Sequence, residues 1–316
     1  MQGPACLRSR TRTHKHVPRR AYDTAHRNGG EMTNFWTNRE GFWNRGGWWK
    51  AVLVVAVYLV AYVAIGQLIG LTLGHTIAEG GPFASAWNVF LLLILPIALG
   101  TVVIVAFLAA IHWLGPIFAR QPIAGRPWMW IAVAVVGYPI ILRFIGIDYG
   151  GFQPGVVALT LLAGLFIGLA EELVTRGAAV TLLRKGGYKE LVVAVLSAVL
   201  FASMHLINAI GSGFTITVAL TVVYTFFYGI CMYVVMRATG SIVWAIMLHA
   251  LTDPTLFLST GGIDTAAEGA QNIWLTIAGT GNWAVMIFGA VALFLIRGRV
   301  SPDTTIDEGA YAAKPA

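Results

Sequence analysis

Eight apolar runs, at about 51–73, 86–113, 128–147, 156–182, 191–210, 214–236, 240–259 and 273–296, leave this chain few folds to choose from. A helix needs about 20 apolar residues to cross a bilayer. In lipid only structures that satisfy every backbone polar group internally persist, and without a barrel-type alternation of sides these runs read as helices. The expected fold is all-α: a polytopic membrane protein of about eight transmembrane helices with a polar site inside the membrane. Composition agrees, because 11% of the 316 residues are charged and 57% hydrophobic, against about 25% charged in soluble domains. The eleven Trp and sixteen Phe suit aromatic belts at the two interfaces.

The net charge of +7 does not indicate nucleic acid, because much of it precedes the first run, in Arg8, Arg10, Arg12, Lys15, Arg19, Arg20, Arg27, Arg39, Arg45 and Lys50. Residues 1–50 read as a basic cytoplasmic tail held on anionic lipid. Within it, Gly29–Met32 reads GGEM, as a purine-rich ribosome-binding site would if read through in frame, and translation is expected to start at Met32. Arg19-Arg20 lacks the closely following apolar region of an export signal. With only Cys6 and Cys231 there is no disulfide framework or cysteine metal site.

Charge orients the runs. Arg120 and Arg126 lie between the second and third, Arg184, Lys185 and Lys189 between the fourth and fifth, Arg237 after the sixth, and Arg297 and Arg299 after the eighth. The alternate connections carry only Glu79, Asp148, Asp264 and Glu268. The positive-inside rule then puts both termini in the cytoplasm of a multi-pass cell-membrane protein. Arg143, near the outer end of the third run, is the exception; it is expected to snorkel or to pair with Asp148 in a structural role. GTGN at 279–282 interrupts the eighth run, and the polar tail 298–316 is expected to be disordered.

The ionisable residues within the runs then demand an explanation, since each costs about 2.5–3.5 kcal/mol at a helix centre even on lenient scales. Leaving out the ends of the runs, they are Glu171, Glu172 and Arg176 on the fourth run, His205 on the fifth, and His249 with Asp253 on the seventh. His112, beside Trp113 at a cytoplasmic end, reads as interfacial. Glu172 and Arg176 are four apart and share a face, as do His249 and Asp253. Glu171 is turned by about 100° from Glu172 and is left without Arg176, the position a general base requires. Phe201 lies one turn before His205 on the same face. Taken singly, each has a bland reading: an interhelical hydrogen bond, a salt bridge, or an Asp before Pro254 that ends a helical turn. Together, three carboxyls against Arg176 leave a net charge near −2. A carboxyl must be protonated, a histidine charged or a cation bound.

Glu171-Glu172-x-x-x-Arg176, Phe201-x-x-x-His205 and His249-x-x-x-Asp253, in that order, resemble the three-motif signature of the CAAX-prenyl-protease and bacteriocin-processing family of membrane endopeptidases. YGICMYVVMRATGSIVWAIMLHALTD is similar to its last motif region, and the resemblance covers roughly residues 156–258. It implies a helical core in which water is activated inside the membrane to cut a peptide bond of a membrane-associated protein or peptide, prenylated at a CAAX end in some relatives. Glu171 with His205 would activate the water. His249 and Asp253 would bind the oxyanion or order the site, and Glu172 with Arg176 would hold the helix. Many relatives carry Asn at the position of Asp253, and an ionised Asp cannot donate to an oxyanion, so Asp253 is either protonated or orients His249. The glutamate mechanism requires no cofactor; a zinc ion, if used, would be held by Glu171, His205 and His249. Two other functions compete: a non-proteolytic scaffold or bacteriocin-immunity factor of the same fold, and a proton-coupled transporter. Along their helices Glu171 lies past mid-span and His205 nearer the outer end, an offset that tilt or a broken helix would have to close.

Overall fold

The computed structural model describes residues 41–261 and 272–301. The tail residues up to Arg39, Cys6, the Met32 start, Asp264, Glu268 and residues 302–316 lie outside them. The described residues all belong to one compact unit.

Among the described residues eight helices are long and apolar enough to cross a membrane: α1 Trp48–Thr76, α2 Ala86–Ala110, α3 Pro127–Gly146, α4 Val156–Lys185, α5 Glu190–Asn208, α6 Ile216–Thr239, α7 Ile242–Thr260 and α8 Ile273–Leu295. The fold is all-α. Large apolar side chains such as Val60, Leu71, Ile216 and Phe294 stand exposed on the outside, as lipid-facing side chains must. The expected break in α8 is absent: the helix runs unbroken through GTGN. A Cβ on Gly281 would lie 2.4 Å from Pro139 Cγ of α3, so the small residues there let α3 and α8 pack closely.

The closest packing sets up the polar site. α4 carries Gly164 and Gly168 one turn apart, facing α7. A Cβ on Gly164 would meet the Ala250 carbonyl oxygen at 2.4 Å, and one on Gly168 would meet Ala250 N and Ile246 O at 2.7 Å. This small-xxx-small stripe brings the two backbones together. One turn further on the same face is Glu172, which therefore arrives against α7 at His249. A methyl group at Gly168 would gain helix propensity of about 0.5–1 kcal/mol but overpack a backbone contact at about 1–3 kcal/mol. Gly168→Ala should thus lower the melting temperature in detergent. Gly66→Ala, at an α1 position with nothing within 4 Å, should leave it unchanged or raise it.

α4 is not regular. After Glu172 it winds as a π-helix over Leu173–Ala179 before resuming α geometry over Val180–Lys185. Single π turns inside α-helices are rare and recur at functional sites. At the basic end of the bundle α4 delivers Arg184 to Glu190 of α5 in a bidentate pair, Nε to Oε1 at 3.0 Å and NH2 to Oε2 at 2.8 Å. Tyr233 of α6 also donates to Glu190 Oε2, as does Arg237 NH1 at 3.2 Å. Gln121 accepts from Arg184, and the Ala124 carbonyl accepts from Arg237. The two arginines, expected as loop charges, are instead buried with Glu190 and lock three helices to the α2–α3 connection. Glu190 N donates to Gly298 O at 3.0 Å, drawing in the end of α8.

Candidate active site

The motif residues converge on one cavity of about 770 Å³ lined by Glu171, Phe201, His205, His249 and Asp253. Their grouping follows from the helix packing. Glu172, fully buried, accepts from Arg176 NH1 at 3.0 Å and from His249 Nδ1 at 2.9 Å. Arg176 also donates to Thr175 Oγ1 at 2.7 Å and to the Gly229 carbonyl of α6 at 2.9 Å, and its guanidinium lies 4.5 Å from the Phe201 ring centroid. Its role therefore extends beyond one helix: it ties α4 to α5 and α6. Glu172 likewise does more than pair with Arg176, because it fixes the ring of His249 through Nδ1.

Phe201 is the centre of an aromatic cluster. Its ring meets His205 edge-on at 5.0 Å and His249 at 5.5 Å, and Tyr228 packs on His249 at 5.5 Å. Such edge-to-face contacts restrict ring rotation and exclude water from the far side of each imidazole. His205 stands where α5 tightens into a 3₁₀ turn, His205–Asn208, with Nδ1 3.1 Å from the Phe201 carbonyl oxygen. A carbonyl can only accept, so Nδ1 carries a proton, and in the neutral ring Nε2 is then the acceptor. Although His205 lies nearer the end of its helix than Glu171 does, both line the same cavity.

Glu171 is turned away from the α7 contact. Its side chain is 17% exposed to the cavity, and Oε2 is buried without a hydrogen-bond partner, 3.9 Å from His249 Nε2. Asp253 Oδ2 lies 3.5 Å from the same nitrogen. His249 is thus held by Glu172 on one side and faces two carboxylates on the other. Tyr58 and Tyr62 of α1 complete the wall near Glu171.

One expectation is corrected. Arg143 neither snorkels nor pairs with Asp148. It is 4% exposed and lines the cavity, with NH2 3.5 Å from Asn282 Oδ1. Asp148 instead accepts from Gly150 N at 3.1 Å in its own turn. Pro139 and Gly281 pack α3 against α8 and so aim Arg143 inward. The site then holds three carboxylates against two guanidinium groups, a balance of −1 before any histidine is counted. His112 is exposed at φ 59°, ending α2 at the basic face as expected of an interfacial residue.

The zinc expectation finds no ligand set. Among the described residues no three His, Cys, Asp or Glu side chains are gathered to hold a metal ion. Glu171, His205 and His249 share the cavity without forming such a group, and no step below runs through a metal.

Residues 153–255 match the family model described as type II CAAX prenyl endopeptidase Rce1-like. No curated protein and no solved structure matches the chain. The matched segment contains all three motifs and ends two residues after Asp253.

Proposed function

We propose that this chain, whose residues 153–255 match the type II CAAX prenyl endopeptidase Rce1-like model, hydrolyses a peptide bond of a membrane-associated protein or peptide with water activated by Glu171 and His205. The single observation that carries the reading is that Glu171, its Oε2 without a hydrogen-bond partner, lines the same cavity as the His205 ring. A water between them donates one proton to Glu171 and one hydrogen bond to His205 Nε2. Its oxygen adds to the carbonyl carbon, and the carbonyl oxygen becomes the oxyanion. When the C–N bond breaks, the proton held by Glu171 passes to the leaving amine.

His249 is assigned to the oxyanion. With both nitrogens protonated it donates Nδ1–H to Glu172 and offers Nε2–H to the cavity. That charge would bring the three carboxylates and two guanidinium groups of the site from −1 to neutrality. Asp253, an acceptor only when ionised, orients His249 through Nε2 until substrate arrives. Glu172, Arg176 and Phe201 are positioning residues.

Comparison of protein termini in membranes from cells carrying wild type or Glu171→Ala at matched abundance tests this. Termini present only with the wild type are expected, and they would name the substrate. Identical termini together with a retained cellular phenotype would replace catalysis by a scaffolding role.

A further inference from the structure

We infer that the cavity takes its substrate from the extracytoplasmic side, so that the bond cut belongs to a membrane-anchored polypeptide at the outer face and not to a cytoplasmic C-terminus. Calling the occupant a substrate rests on the peptide-cleaving reading above; the direction of the opening does not.

The bundle has two unlike faces. One gathers Arg120, Arg126, Lys185, Lys189, Arg297 and Arg299, with Arg184 and Arg237 just inside it. On the other, the described connections 77–85, 147–155 and 209–215 carry Glu79 and Asp148 as their only charged side chains. Arg143 was the one basic residue out of order, and its burial in the cavity takes it out of the loop count. A bias this complete sets the basic face in the cytoplasm.

The cavity opens toward the other face. Its lining is drawn from the parts of these helices nearer that face: Thr217 and Leu220 near the start of α6, Ser259 and Thr260 at the end of α7, and Asn282 and Trp283 at the middle of α8. Thr217 and Asn282 are exposed, Leu220 is 62% exposed and Trp283 67%. Toward the basic face the same helices close, with a Cβ on Gly289 of α8 only 3.0 Å from Phe227 of α6. Beneath that contact Tyr233, Met236 and the Glu190 cluster are fully buried. A peptide end in the cytoplasm would have to carry its charged carboxylate through this plug and the hydrocarbon layer to reach Glu171. A segment lying in the outer leaflet meets an apolar lip at Leu220 and Trp283, and then the polar floor.

The test is accessibility of single cysteines in a Cys6→Ser background, in which the remaining Cys231 is fully buried. Thr217→Cys and, separately, Arg126→Cys are exposed to a membrane-impermeant maleimide in intact and in permeabilised cells. Thr217→Cys is expected to label as fully in intact cells as after permeabilisation, and Arg126→Cys only after it. Labelling of Thr217→Cys confined to permeabilised cells, with Arg126→Cys reacting from outside, overturns the inference. Neither result depends on turnover. An outward rim without Glu171-dependent termini would remove the protease reading and leave the opening standing. Glu171-dependent termini with an inward rim would do the reverse.

Discussion

Glu171→Gln is expected to reduce cleavage by about 10²–10⁴-fold, the range supplied by a positioned general base, with the melting temperature in detergent unchanged. Gln keeps the size of the side chain and removes only the proton acceptor. Glu171 accepts no hydrogen bond at Oε2 and pairs with no arginine; the contact it gives up is with His249 Nε2 at 3.9 Å, a ring that Glu172 and Asp253 also hold, so the fold loses little. The adjacent Glu172→Gln is expected to behave differently. It takes away the negative charge that Arg176 and His249 share, leaving one amide oxygen to accept from both, and breaking a buried pair from one side costs about 3–5 kcal/mol. Activity and stability should fall together. Turnover of the substrate identified from the termini, measured beside thermal unfolding, separates the two carboxylates. Equal loss of stability in both variants would mean that Glu171 is scaffold.

The largest effect on stability is expected away from the cavity. Glu190→Ala leaves the guanidinium groups of Arg184 and Arg237 without their shared carboxylate, at side-chain exposures of 4% and 2%. Uncompensated buried charge of this kind costs about 3–5 kcal/mol, and here two cations lose the same partner. Glu190→Gln should recover part of the loss, since an amide oxygen still accepts from one arginine. Arg184→Met combined with Glu190→Met should be milder than Glu190→Ala alone, because a pair removed together leaves less unpaired charge behind. Thermal unfolding and accumulation in the membrane read all three. A melting temperature unmoved by Glu190→Ala would mean that water reaches the cluster and screens it.

Much of this arrangement could be read from the chain. The spans were legible because each needs only a local run of apolar residues. Glu171, Glu172, Arg176, His205, His249 and Asp253 were legible because ionisable groups are costly in such runs. What the sequence hid were relations between distant segments. Gly164 and Gly168 read as ordinary small residues until α7 is known to lie against them. GTGN looked like an interruption because glycine weakens an isolated helix, while the packed helix uses Gly281 to admit Pro139. Arg143 carried a charge that sequence spacing assigned to the nearest acid, Asp148, although the packing of α3 on α8 turned it to the cavity. Glu190 stood in the first turn of a helix, where an acidic residue needs no special reason, so its two arginines went unsuspected.

The π-wound stretch Leu173–Ala179 has a consequence for how this helix can change. Glu172 and Arg184 lie on either side of it, each matched to its own partner, His249 at one end and Glu190 at the other. A wide turn takes up one residue more than an even α-helix needs, so deleting a single residue within the stretch lets α4 relax to even winding with both ends still facing their partners, whereas deleting two would turn one end relative to the other by about 100°. Either the carboxylate would swing off His249, or the arginine off Glu190. Point substitutions can accumulate along α4 while its length between Glu172 and Arg184 stays fixed to within one residue. A deletion series through 173–179 should show this as two-residue deletions that are non-functional beside one-residue deletions that keep the fold.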